Sequence, residues 1–176
     1  LDQAPVTVPS RGSGLFAGTL ATVLDRATLE QVVLDGFLEM TRVTDTPLES
    51  GGAALQEFGL PYASDPVISK HLARFLTRSL QNAKASESLT ALVGEQSGSY
   101  LKPSAVLFNG GAFKAAPVRQ RVLDLLASWN DGEPVRSLIG DEPDLAVATG
   151  AAFYGQNRAT GQGIRIKAGT ARAYYI

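Results

Sequence analysis

The residues best suited to chemistry in this chain are few, and the most suggestive lie together in Val106-Leu107-Phe108-Asn109-Gly110-Gly111-Ala112-Phe113-Lys114. Two adjacent glycines permit positive φ and a close approach of backbone to a ligand. A strand that ends in such a turn and feeds a helix is a common ligand-holding place in α/β proteins. The competing structural reading is a connector whose glycines serve tight packing. His71 is the only histidine, which excludes a two-histidine metal centre, and no activated serine can be paired with it. It reads as a partly exposed surface residue. In Gly94-Glu95-Gln96-Ser97-Gly98 the serine stands one place too late for a nucleophile elbow. Asp141 and Asp144 are spaced for weak Mg²⁺ binding, but helix capping is the simpler assignment. No Gly-x-x-x-x-Gly-Lys-Ser/Thr loop or Gly-x-Gly-x-x-Gly fingerprint is present.

These residues need elements to position them. Residues 4–24 predict two or three short strands, with Ser10 to Gly14 as a turn. Asp25 is placed to cap a helix over Arg26 to Leu38, whose Leu29, Val32, Val33 and Phe37 should face a core, with Arg26 and Glu30 paired at its surface. Residues 41–64 are irregular, broken by Thr44-Asp45-Thr46-Pro47 and Gly51-Gly52. Asp65-Pro66 predicts a second helix start, with Asp65 as the cap and Ile68, Leu72, Phe75, Leu76 and Leu80 as the apolar face. After a mixed polar stretch, a strand over 105–108 leads through the glycine turn into a helix over Pro117 to Trp129. Its core side is Val118, Val122, Leu125, Leu126 and Trp129, and Arg119 and Arg121 are its solvated face. Asn130-Asp131-Gly132 ends it, and Val135 to Ile139 is another strand. Asp141 to Asp144 opens a last helix whose small apolar residues, Leu145 to Ala152, imply burial against a sheet or a ligand. Ile164 to Lys167 and Ala171 to Ile176 read as a terminal hairpin.

Composition bounds the function. Of 176 residues 44% are hydrophobic, enough for a sizeable core. With 16 basic and 17 acidic residues the net charge is −1, which argues against a nucleic-acid platform or a basic membrane surface. There is no cysteine, hence no disulfide framework and no thiolate metal site, and no apolar run of membrane-spanning length. The chain starts at Leu1 without methionine and ends in Ala173-Tyr174-Tyr175-Ile176, from which a piece of a longer protein is expected.

The order strand, glycine turn, helix, strand, acidic turn, small-residue helix resembles the last part of the nucleotide-binding domain of DnaK-type heat-shock chaperones, in the actin-like ATPase superfamily. That family runs a valine-rich strand into Gly-Gly-Ser and a basic residue. It later carries Asn-Pro-Asp-Glu-Ala-Val-Ala-x-Gly-Ala-Ala, against Glu142-Pro143-Asp144-Leu145-Ala146-Val147-Ala148-Thr149-Gly150-Ala151-Ala152 here. Leu24-Asp25-Arg26-Ala27-Thr28-Leu29-Glu30 is similar to its Thr-Arg-x-x-Phe-Glu helix, and Asp65-Pro66-Val67 to its Asp-Pro-Val helix start.

The resemblance implies an α/β fold, the C-terminal lobe of an actin-like (ribonuclease H-like) ATPase domain, partial, with a short β-rich segment at each end. Residues 1–64 would be the outer subdomain with an irregular insertion, 65–160 the α/β core, and 161–176 a hairpin leading into a further region. Gly110 and Gly111 would form the wall beside the ribose and α-phosphate. Lys114 would replace the arginine over the adenine face, and Asp144 would sit at the sugar–phosphate end. Ala112 replaces the serine that could bond the base, and one extra residue precedes Pro117. No Asp-x-Gly-Thr phosphate loop is present, so no catalytic or metal-ligating residue is assigned and the chain alone should not hydrolyse ATP. ATP or ADP with Mg²⁺ would belong to the complete cytoplasmic protein. Its expected partners are the other half of the ATPase domain, unfolded polypeptide clients and co-chaperones, with no nucleic acid and no membrane. The alternative is an actin-like binding or scaffold module that no longer holds nucleotide.

Overall fold

The computed structural model describes residues 2–9, 19–48, 64–94, 98–138, 140 and 144–163. β1 (Gln3–Pro9) and β2 (Thr19–Asp25) form an antiparallel pair in which Gln3 faces Asp25 and Pro9 faces Thr19. Asp25 caps α1 (Arg26–Glu30) as expected. Its carboxylate accepts from the Thr28 backbone N–H at 2.7 Å and from the Thr28 hydroxyl at 2.9 Å. Those bonds to Thr28 hold the Asp25 carboxyl below its usual range. Arg26 and Glu30 pair at 3.8 Å.

The chain then continues as a π-helix over Gln31–Phe37. Widening the turn shifts the phase of every following side chain. Leu29, Val32 and Phe37, expected inward, are exposed, while Leu38 is buried and Leu34 packs beside it. The π-helical segment is also tied to a residue far along the sequence. Arg121 donates to the carbonyls of Leu34 and Leu38, each at 3.3 Å, and pairs with Asp35 at 3.0 Å. The expectation that Arg121 is solvated is therefore corrected, because helix-terminal carbonyls without internal partners attract a guanidinium fork.

α2 (Ile68–Lys84) starts later than expected. Asp65 accepts from the Val67 N–H at 3.0 Å as a turn residue ahead of the helix, not as its cap. The buried face is Ser69, Ala73, Leu76, Leu80 and Ala83, and Phe75 is 63% exposed. Small residues at 69, 73 and 83 let the helix lie close, and this rotates Ile68 and Phe75 outward. A short helix, α3 (Glu87–Val93), follows where no helix was expected.

β3 (Ala105–Leu107) and β4 (Arg136–Leu138) pair in parallel, with Ala105 facing Arg136 and Leu107 facing Leu138. α4 (Ala116–Trp129) joins them and buries Val122, Leu125, Leu126 and Trp129. It ends at Asn130, after which Asp131 (φ 57°) and Gly132 (φ 87°) turn left-handed. One core gathers Leu38, Ala73, Leu76, Tyr100, Val135 and the buried face of α4. Two hydrogen bonds tie its rim: Trp129 Nε1–H donates to the Thr41 carbonyl at 2.6 Å, and the Tyr100 hydroxyl donates to the Trp129 carbonyl. Burial is the main cause that pushes the Tyr100 hydroxyl above its ordinary pKa.

The last helix, α5 (Ala146–Thr160), overturns the expectation of burial. Val147 is 82% exposed, Phe153 58%, and of its residues only Asn157 is buried. The small-residue pattern makes close packing possible, but no described element lies over it. The expected terminal hairpin, the turn at 10–14 and most of the insertion at 41–64 fall outside the described residues.

Candidate functional site

β3 carries the chain to Asn109, whose side-chain oxygen accepts from the Gly110 N–H at 2.9 Å and tightens the turn. Gly110 adopts φ 87°, ψ 161°, a conformation open in practice only to glycine. Gly111 to Lys114 then form a single 3-10 turn that hands over to α4. Arg119, on the first turn of α4, donates to the carbonyls of Phe113 and Lys114, the latter at 2.8 Å. Here too an arginine expected in solvent captures backbone carbonyls, and it fixes the 3-10 turn against the helix. The rings of Phe108 and Phe113 stand 5.3 Å apart beneath the turn.

The turn is bare on its outer side. A Cβ placed on Gly110 or Gly111 would meet nothing within 4 Å. That removes the reading of these glycines as packing spacers. Among the described glycines only Gly140, on the neighbouring segment, approaches the strand closely, its notional Cβ lying 3.3 Å from Leu107 Cδ1. Ala112 is exposed, as are both glycines and Lys114. The Lys114 ammonium forms an ion pair with the carboxylate of Asp144, thirty residues further on. The glycine turn and the entry to α5 are thus brought together, and all five sequence-predicted residues lie on one exposed stretch of surface: Gly110, Gly111, Ala112, Lys114 and Asp144. Asp144 stands two residues ahead of the first residue of α5, and the helix cap, Leu145, makes no side-chain capping bond. Ser97 and Asp141 lie outside the described residues.

Two of the hollows among the described residues lie elsewhere. One, of about 670 Å³, lies between Asp2, Gln3, Asp25, Arg26, Ala27 and Glu30. The other, of about 450 Å³, lies between residues 43–47, α2 and Ser99, and contains Arg74 and Arg78. Sequence reading passed over these two arginines. Asp65, at the start of the segment that leads into α2, is 2% exposed. It accepts from the backbone N–H groups of Leu48 and Val67 and from Lys70, and these hold its carboxyl down at about 2. Lys102 pairs with Asp131 at 3.1 Å, which raises the lysine above its usual value.

Among the described residues no group of three or more His, Asp or Glu could hold a metal ion. No described helix is long and apolar enough to cross a membrane. No family model, curated protein or solved structure matches this chain.

Proposed function

We propose that the chain is part of a DnaK-like chaperone ATPase domain and supplies the adenosine-side wall of its nucleotide site. The observation that carries this reading is the Gly110-Gly111 backbone, open to solvent on one side and joined through Lys114 and Asp144 to the head of a small-residue helix. A backbone free of Cβ atoms lets a sugar and phosphate approach it closely. A lysine beside it offers a cation to a purine face, more weakly than a planar arginine would. Hydrolysis would need phosphate loops, Mg²⁺ and the other half of the domain, none of which this chain contributes. The chain alone is accordingly expected to bind nucleotide without hydrolysing it.

A second reading, a scaffold that has given up nucleotide, is favoured by the same ion pair. Asp144 occupies the Lys114 charge, and Ala112 offers no hydroxyl to a base. Titration with ADP, followed by backbone amide shifts, separates the two. The nucleotide reading expects saturable shifts at Gly110 to Lys114 and at Asp144, weakened in Lys114→Ala. Silence at these amides, or equal binding by the variant, would refute it and leave the scaffold. Magnesium-dependent turnover by the chain alone would refute the claim that it is catalytically incomplete.

A further inference from the structure

The hydrogen-bond phase of the β1–β2 pair is fixed by one bond and two prolines. The Arg26 N–H donates to the Asp2 carbonyl at 2.9 Å, one step beyond the facing of Gln3 and Asp25. In an antiparallel ladder, pairs that exchange bonds alternate with pairs whose polar groups point away. The bonded pairs are therefore Ala4–Leu24, Val6–Thr22 and Val8–Leu20. Pro5 and Pro9 agree with this phase, since proline has no N–H to exchange and fits a pair that points outward.

The two outer edges are then unlike. On β1 the outward positions are Gln3, Pro5, Thr7 and Pro9, and the prolines break the row of donors. A neighbouring strand cannot continue along that edge. On β2 the outward positions include Thr19, Ala21 and Val23, each with its N–H and its carbonyl. Residues 19–23 are exposed, and among the described residues no third strand joins this pair. From Thr19 to Leu24 there is no proline and no charged side chain, the devices that commonly protect an edge. A two-stranded ribbon exposed on both faces is marginal by itself.

We propose that β2 pairs edge to edge with β2 of a second copy of this chain, antiparallel about a two-fold axis at Ala21, giving a four-stranded sheet in the order β1-β2-β2-β1. The axis sets Ala21 opposite Ala21 of the second copy and Thr19 opposite Val23 of the second copy. All three are outward positions, so every N–H meets a carbonyl. The edge is thus self-complementary, as a two-fold interface requires. Residues 19–24 bring no like charges together, and the whole chain carries a net charge of only −1. On one face Leu20, 66% exposed, falls opposite Thr22 of the second copy, with Val8 continuing the apolar row. Prolines on both outermost strands stop the sheet there, so the assembly closes at two copies and does not grow into a fibre. None of these residues belongs to the glycine turn or to Asp144, so the inference is independent of the nucleotide reading.

The test is the mass of the whole chain in solution, by sedimentation equilibrium from about 10 µM to about 1 mM. The mass should rise from the 18.5 kDa of one chain toward twice that value and stop there. Hydrogen exchange at the Thr19, Ala21 and Val23 amides should slow with concentration, while the Thr22 and Leu24 amides, already bonded to β1, should not change. Ala21 faces Thr7 in an outward pair, so Ala21→Pro removes one outer donor and spares the bonds to β1. Ala21→Pro and Val23→Lys should each weaken the dimer by about tenfold or more while the Thr22 and Leu24 amides stay protected; Thr7→Pro, on the closed edge, should leave it unchanged. The proposal is overturned by a single-chain mass throughout the series, by growth beyond two copies, by exchange at the three outer amides that ignores concentration, or by a dimer that Ala21→Pro and Val23→Lys leave intact.

Discussion

Replacing Arg121 by methionine tests the account of the π-helix. Methionine keeps most of the aliphatic stem and removes only the guanidinium. The Arg121–Asp35 pair spans 3.0 Å, and the Asp35 side chain is 63% exposed, so this pair contributes about 0.2–1 kcal/mol. The bonds to Leu34 and Leu38 are charge-assisted but long, 3.3 Å each, and shared by one nitrogen, which puts them together at about 1–2 kcal/mol. The whole group should therefore be worth about 2 kcal/mol, lowering the urea midpoint by about 1 M for a chain of this size. Trp129 is a suitable reporter, because its ring lies in the core and its Nε1–H bonds the Thr41 carbonyl, a few residues beyond the π-helix. Asp35→Asn removes the ion pair alone and should cost under about 1 kcal/mol. Arg121→Lys should fall between, since an ammonium cannot fork between carbonyls and carboxylate. In Arg121→Met the amides from Leu34 to Leu38 should also lose hydrogen-exchange protection. An unchanged midpoint, or an Asp35→Asn loss equal to that of Arg121→Met, would refute the claim that carbonyl capture holds this segment.

Three further outcomes follow from the geometry. Asp65 titrates at about 2 in the fold against an ordinary value of 3.8, so the stability it contributes is complete above the ordinary value and is lost as pH falls from about 4 toward 2; in Asp65→Asn, urea midpoints should lack this part of the acid dependence. Gly110→Ala should destabilise by about 1–3 kcal/mol because φ 87°, ψ 161° is closed to alanine, while Gly111→Ala, with open space and no positive φ, should change the thermal midpoint little. Ser69 is fully buried and its hydroxyl has no hydrogen-bond partner, so Ser69→Ala should raise stability by about 1 kcal/mol in the same melts; a loss would show that the hydroxyl is satisfied.

Much of the element order was legible because it rests on local rules. The strand pair, the Asp25 cap, the Gly110 turn and the span of α4 follow from residue type and spacing within a few positions. What escaped reading depends on distant partners. The π-helix that shifts the phase of the side chains after Glu30 is bonded by Arg121, some eighty-five residues away. Arg119 and Arg121 read as surface charges because nothing local shows that they face unpaired carbonyls. The late start of α2 comes from Asp65 turning toward Leu48, a contact outside any helical pattern. The exposure of α5 could not be foreseen from its composition, since small side chains show that a helix can be approached closely and not whether anything does so. Gly110, Gly111, Ala112, Lys114 and Asp144 were singled out together from the sequence, and the Lys114–Asp144 ion pair brings the turn beside the entry to α5. The hollow that contains Arg74 and Arg78 was not singled out, because its walls come from segments joined only in three dimensions.

The sparse burial of α5 has a consequence for any occupant of the glycine turn. A fifteen-residue helix with Gly150 and Gly155 in its interior is marginal by itself. Its described ties are near its ends, the Lys114–Asp144 pair ahead of its first turn and the buried Asn157 in its last. Melting of this helix would pull Asp144 from Lys114 while the core stayed intact, so the site can come apart without the protein unfolding. By linkage, a guest that needs both residues must also stabilise the helix, and its observed affinity is scaled by the fraction of molecules in which the helix is already wound.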